Sequence, residues 1–218
     1  MIVYGKALSL EESVYRSLRE EILEGRIAAG EALTECAVAQ KLGVSRTPIR
    51  AALKRLSEEG LISLTPNRGA VVVGVDGEDL VGIYEIRMRL EGLASRAAAE
   101  RISPEELKRL SDSVELAEFY ISKNDTEHLK ELDTEFHGII YRASGNRLLH
   151  KTLSELHGNI TAYRSLSLSS GDRLEKSVKE HRDILDAIAL GDGERADRLT
   201  SLHIEAALEN LLKVTKGK

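Results

Sequence analysis

From residue 78 to residue 215 the apolar residues return every three or four positions and no run alternates, so this part of the chain is committed to helices. Leu174, Val178, Leu185 and Ile188 form one such stripe, Ala196, Leu199 and Ala206 another, and Ile83, Leu90 and Ala94 a third. The pattern breaks at Ser103-Pro104, Asn124-Asp125, Ser144-Gly145-Asn146, Ser170-Gly171-Asp172 and Gly191-Asp192-Gly193, all residues that stop helices or form turns. Helices are therefore expected near 78–101, 104–123, 126–143, 146–168, 173–190 and 194–215. Connections this short make successive helices antiparallel neighbours, and so a bundle.

Strand signals are confined to the residues ahead of that half. Ser9 to Glu24 reads as a helix with Val14, Leu18 and Ile22 on one side and Glu11 and Glu12 at its positive N-terminal end. After a turn bracketed by Gly25 and Gly30, Thr34 can cap a short helix that faces Val38 and Leu42 inward and stops at Gly43. Ser45 then caps a third helix. Pro48 is tolerated in its first turn, and Ile49, Leu53 and Leu56 keep helical spacing up to Gly60. Two short helices joined by a glycine-containing turn make a helix-turn-helix. Leu61–Leu64 and Ala70–Val73 are rich in strand formers, with the turn sequence Thr65-Pro66-Asn67-Arg68-Gly69 between them: a hairpin, or wing. Gly74-Val75-Asp76-Gly77 reads as a linker. The expected fold is mainly α: a winged helix-turn-helix of three helices and a β-hairpin over 1–74, then an all-α antiparallel bundle of six to seven helices over 78–218.

Composition narrows the class of protein. At 218 residues, 42% hydrophobic and 31% charged, the chain is globular in type and long enough for two cores. Its one cysteine, Cys36, cannot form an internal disulfide and reads as a small buried hydrophobe, which fits a reducing compartment. No apolar run approaches the ~20 residues of a membrane span, and the first residues lack a basic segment followed by an apolar one, so a cytoplasmic protein is expected.

A net charge of −5 excludes a chain that coats nucleic acid with its whole surface, but the charge is unevenly placed. Residues 1–74 hold ten Lys or Arg against nine Asp or Glu, while residues 75–218 hold 21 against 27. Lys41, Arg46, Arg50, Lys54 and Arg55 fall in a stretch, 41–57, with no acid, a patch suited to phosphates. A helix-turn-helix presents the start of its second helix to the major groove, which here is Ser45-Arg46-Thr47-Pro48-Ile49-Arg50. Arg46 and Arg50 share a face, and the arginine fork can bond guanine O6 and N7; Ser45 and Thr47 can reach phosphate or base. At the wing tip Arg68 could enter a minor groove and Gly69 would let the backbone approach. Each feature alone is compatible with a capped helix and a solvated face; a capped basic helix, a tight turn and a wing together point to double-stranded DNA.

Asp133 and His137 lie four apart on an expected helix, a spacing that can chelate a cation. His181 and His203 are each eleven residues from Asp192, the centre of a turn, so two antiparallel helices rising ~1.5 Å per residue would bring them to one height. Both replace an apolar residue on an inward stripe. A core histidine taken alone is more often a hydrogen-bonded residue than a ligand, but two at matched height beside an Asp-x3-His helix make a candidate site. His128, His150 and His157 lack such a partnership and are expected at the surface. Arg87 falls on the stripe of Ile83, Leu90 and Ala94, where a cation needs a partner: either Glu91, four residues on, or the carboxylate of a ligand. Asn159 and Tyr163 share a face with Leu156 and are candidates to line the same pocket.

The series Ile22-Leu23-Glu24-Gly25-Arg26-Ile27, Gly30-Glu31, Leu42-Gly43-Val44-Ser45-Arg46-Thr47-Pro48-Ile49-Arg50, Ala52-Leu53-Lys54-Arg55-Leu56, Glu59-Gly60-Leu61 and Gly69 resembles the GntR-type winged-helix regulators. The likeness is to the FadR-like branch, whose second half is the all-helical FCD domain, and it covers nearly the whole chain. Two positions depart from the family pattern: Ala51 stands where Glu is common, and Cys36 where some members carry an arginine that touches DNA. In FCD domains an Asp and a His one turn apart and two later histidines hold a metal, and Asp133, His137, His181 and His203 match those positions. Three imidazoles and a carboxylate suit zinc first, with nickel, cobalt, manganese and iron also possible. The resemblance also implies a small organic acid as effector, with a basic residue from the first helix of the domain. The expected protein is thus a non-enzymatic repressor that binds a palindromic operator as a homodimer and answers to a carboxylate bound beside a metal. Two rivals stay open at this point: a hydrolase-like metalloenzyme fused to a DNA-binding head, since a metal held by Asp and His can activate water, and a regulator whose metal is purely structural.

Overall fold

The computed structural model describes residues 9–23, 25–65, 69–73, 77–160, 164 and 172–216. Packing divides the chain into two units, with the boundary between Gly77 and Glu78.

In the first unit α1 (Leu10–Leu23), α2 (Glu35–Leu42) and α3 (Arg46–Glu58) surround one apolar core, with β1 (Ala32–Leu33), β2 (Ile62–Thr65) and β3 (Gly69–Val72) along its edge. Leu18, Ile49, Ala52, Leu56, Ile62 and Ala70 are almost wholly excluded from solvent. The strands make an antiparallel sheet in the order β1-β3-β2, with Ala32 opposite Val71 and Ser63 also opposite Val71 on the other side. The wing is present, one residue later in β2 and one earlier in β3 than its apolar runs suggested. The strand β1 was not expected: two residues carry no alternation to read. Thr34 caps α2 through a bond from the Ala37 amide to its side chain. Cys36, expected inside, is exposed; α2 is short and buries only Val38, so its second residue faces out.

Gly69 stands at φ +87°, and a Cβ there would lie 2.8 Å from the carbonyl oxygen of Leu33. Only a glycine permits that approach of β3 to β1.

Among the described residues the second unit consists of helices and their connections: α4 (Gly77–Arg101), α5 (Pro104–Ile121), α6 (Thr126–Ala143), α7 (Arg147–Asn159), α8 (Arg173–Ala189) and α9 (Gly193–Lys216). Ser103 and Glu106 form a reciprocal capping box at the start of α5, where Pro104 takes the first helical position. Helix α5 packs on α6 and α8, α6 on α7, and α8 on α9. One core cluster, including Ala94, Ala98, Leu110, Phe136, Ile140, Leu153, Ile184 and Ile188, joins α4 through α9. Helix α4 comes close to α9 at Gly92, where a Cβ would meet the side chains of Asp197 and Ser201. Among the described residues no helix is long and apolar enough to cross a membrane.

Candidate metal centre and nucleic-acid interface

The Asp-x3-His pair of α6 is buried because Asp133 and His137 continue the stripe of Leu129, Phe136 and Ile140. His181 comes from α8 and His203 from α9, both on the inner faces of those helices. The four side chains meet: one ligand atom from each lies within 4.8 Å of the others. Nε2 of His181 is 3.4 Å from Nε2 of His203 and 3.6 Å from Oδ1 of Asp133, and Nε2 of His137 is 4.0 Å from the same oxygen. Donors held ~2.0–2.2 Å from one cation lie about 3–4 Å apart, so these spacings fit a bound metal.

Two of the three outer nitrogens face a carboxylate. Nδ1 of His137 lies 2.9 Å from Oε2 of Glu91, and Nδ1 of His203 lies 2.7 Å from Oε2 of Glu180. A carboxylate behind each imidazole favours the tautomer that turns the Nε2 lone pair toward the centre. Burial pushes His181 and His203 below the usual histidine range, which keeps them in the neutral, ligating form. Burial works against the Asp133 carboxylate, but the Arg164 guanidinium outweighs it and holds Asp133 ionised. The two oxygens of Asp133 divide their roles: Oδ1 faces the imidazoles and Oδ2 accepts from the Arg164 guanidinium.

Arg87 and Glu91, left open between two partners by the sequence, form a fully buried ion pair at 2.6 Å. The pair does not exhaust the guanidinium, since Nη1 of Arg87 has no hydrogen-bond partner among the described residues. Arg87 borders a cavity of about 20 Å³ together with Tyr84, Asp133, His137, Arg173 and Ser177, among others. The hydroxyls of Tyr84 and Ser177 and Nε of Arg173 are likewise buried without a partner among the described residues. The Arg173 guanidinium is oriented by Glu180, which accepts from Nη1 at 2.7 Å, and by the backbone carbonyl of His203.

His157, expected at the surface, is buried beside this centre. Its Nδ1 is 3.3 Å from the Tyr141 hydroxyl and its Nε2 contacts Arg164. The signal was present in the stripe Leu149, Leu153, His157, Ile160, all buried at helical spacing. His128 is exposed as expected, paired with Asp125 and stacked on Tyr120. The reading also missed Tyr84, Arg173 and Ser177. The last two flank the stripe of His181 one position before Leu174 and Val178, and only the packed helices show that they turn inward. Tyr163 and the side chain of Asn159 lie outside the described residues.

In the first unit Ser45, Arg46, Thr47 and Arg50 are all exposed at the start of α3. Ser45 occupies the N-cap position without forming a side-chain capping bond. Arg50 is held by both oxygens of Glu35, at 2.8 Å each. The acid-free stretch is not a free positive patch: Lys41 pairs with Glu21, Lys54 with Glu58, and Arg55 with Glu12. Among the described residues Arg46 alone of the five has no ion-pair partner. Gly69 is accounted for by its approach to Leu33, and Arg68 lies outside the described residues.

A winged helix-turn-helix joined to a helical unit with a buried Asp/His cluster defines a class, the DNA-binding transcription regulators. Residues 10–72 match the gntR family of bacterial regulatory proteins and residues 82–206 match the FCD domain, so the chain belongs to the GntR family, with an FCD domain as its second part. It is 31% identical to the HTH-type transcriptional regulator YdhC of Bacillus subtilis (strain 168), over 92% of this chain and 90% of that one. It is 27% identical to the HTH-type transcriptional repressor RspR of Escherichia coli (strain K12), over 94% and 90%. Among solved structures, E. coli McbR/YncC superposes with a TM-score of 0.78 at 24% identity, covering 95% of this chain and 99% of that one, a likeness of fold.

Proposed function

We propose that this regulator is a repressor that binds a palindromic operator as a homodimer in the cytoplasm, and that its operator affinity changes when a small organic acid binds beside a divalent transition metal. The residues that would hold the metal are Asp133, His137, His181 and His203, and zinc is the first choice, with nickel, cobalt, manganese and iron as alternatives. The observation that carries the reading is the convergence of three imidazole Nε2 atoms and one carboxylate oxygen beside a cavity whose arginine keeps an unused N–H. When bound, the cation supplies a fixed positive charge that a ligand carboxylate can approach. Arg87, already oriented by Glu91, offers the second positive contact, and Asn159 and Tyr163 are proposed to complete the lining.

On the DNA side, Ser45, Arg46, Thr47 and Arg50 are proposed to enter the major groove, with Arg68 and Gly69 of the wing beside the phosphates or the minor groove. Coupling requires that the acid prefer one of two arrangements of the protein. Operator binding followed by fluorescence anisotropy, with metal-loaded protein and a panel of organic acids, tests the proposal. A shift of the dissociation constant with at least one acid, abolished by chelation, is expected. Indifference to every acid would remove the sensor role, and acid response that survives chelation would make the metal structural.

A further inference from the structure

We infer that the outer side of α4 and α9 is the surface on which a second copy of this chain docks, head to tail about a two-fold axis; the inference rests on reading the regulator as a homodimer. The two helices leave between them a groove of about 830 Å³ whose apolar walls include Ile86, Met88, Leu90 and Leu202. Ile86 and Leu202 are 49% and 53% exposed, and Leu93, seven residues after Ile86 on the same side of α4, is 48% exposed. These side chains are surplus to the core, because the same helices bury Arg87, Glu91 and Ala94 or His203 and Ile204 on their other side. Large aliphatic side chains left together in water mark a contact surface.

Charge identifies the occupant. Four charged residues border the groove, Glu85 and Arg89 from α4 and Arg198 and Glu205 from α9, and all are exposed. Among the described residues none of the four has an ion-pair partner, although Glu85 and Arg89 stand four apart on one helix. Elsewhere on this unit exposed charges pair across helices, Arg109 with Glu135 and Arg182 with Glu118. Helices α4 and α9 run antiparallel here: the Ser201 hydroxyl donates to the carbonyl of Met88 at 3.0 Å, and Arg96, further along α4, lies 3.7 Å from Glu194, further back along α9. Glu85 and Glu205 therefore fall at one end of the groove, and Arg89 and Arg198 at the other. A groove with two acids at one end and two arginines at the other is its own complement after a half-turn. A second copy, set with its acidic end against the basic end, supplies a partner to all four charges and covers the aliphatic side chains between them. A partner of a single charge sign would leave one end of the groove facing its like.

Analytical ultracentrifugation of the full-length protein over a micromolar concentration series tests this, and the parent is expected to be a dimer. Leu202→Glu is expected to raise the dimer dissociation constant at least roughly tenfold, with helix content by circular dichroism unchanged because the residue stands outside the core. Two charge reversals test the orientation. Glu85→Arg with Glu205→Arg makes both ends of the groove basic, and Arg89→Glu with Arg198→Glu makes both ends acidic. Each double variant alone is expected to weaken the dimer by a similar factor, and an equimolar mixture of the two is expected to recover the association of the parent, since opposite charges then meet at both ends. A parent dimer indifferent to Leu202→Glu and to both reversals overturns this face and leaves the homodimer standing. Loss with Leu202→Glu alone, or loss in each reversal without recovery in the mixture, overturns the head-to-tail arrangement. A monomeric parent overturns the inference and the homodimer together and leaves the groove to a different partner.

Discussion

Arg46 and Arg50 stand one turn apart at the tip of α3, yet their electrostatic situations differ, because Glu35 of α2 reaches one of them and no acid in the described structure pairs with the other. Arg46→Ala should therefore weaken operator binding by about 1–3 kcal/mol without lowering the melting temperature, measured by anisotropy titration and thermal denaturation. Glu35→Gln should free Arg50 and strengthen DNA binding by a few-fold, since a solvent-exposed ion pair competes only weakly with a phosphate or base; a loss of affinity would mean that Glu35 holds Arg50 in its reading position instead. Residue types at the two sites were legible in the sequence, but their partners were not. A linear count finds no acid between 41 and 57, whereas folding brings Glu12, Glu21 and Glu35 to that stretch from α1 and α2. His157 shows the same limit from the other side: its burial follows from an apolar stripe on α7, but its contact with Arg164, seven residues on, is seen only in the folded chain.

Helices of the second unit follow the sequence to within a few residues, and α6 coincides with its expected range, but α7 ends at Asn159 where a helix reaching 168 was expected. The strand β1 escapes such reading, and its presence makes Gly69 informative. Gly69→Ala meets both a positive φ and a backbone oxygen that cannot rotate away, so a loss of about 1–3 kcal/mol is expected, seen as a lower melting point of the full-length protein. Gly92→Ala is the useful contrast. Its Cβ would meet the ends of the Asp197 and Ser201 side chains, which can turn aside, so a smaller loss is expected although the contact is nominally closer. A larger loss for Gly92→Ala than for Gly69→Ala would show that the α4–α9 packing is stiffer than its side chains suggest.

At the scale of the molecule, two compact units meet the solvent with separate cores, and only the second contains the Asp/His cluster. Metal at a hundredfold excess over its dissociation constant should add about 2.7 kcal/mol to that unit, a rise in melting temperature on the order of 5–10 °C. Calorimetry with and without a chelator should move one transition and leave the other in place; a shift of neither would argue against a bound ion. Asp133→Ala or His181→Ala should abolish the shift. The four ligands come from α6, α8 and α9, and Cys36 can form no internal disulfide. A cation held there would make a reversible cross-link of the helical half, from an ion that the cell must supply. Persistence against proteolysis would then follow metal supply, so that scarcity would silence the regulator by removing it as well as by changing its grip on an operator.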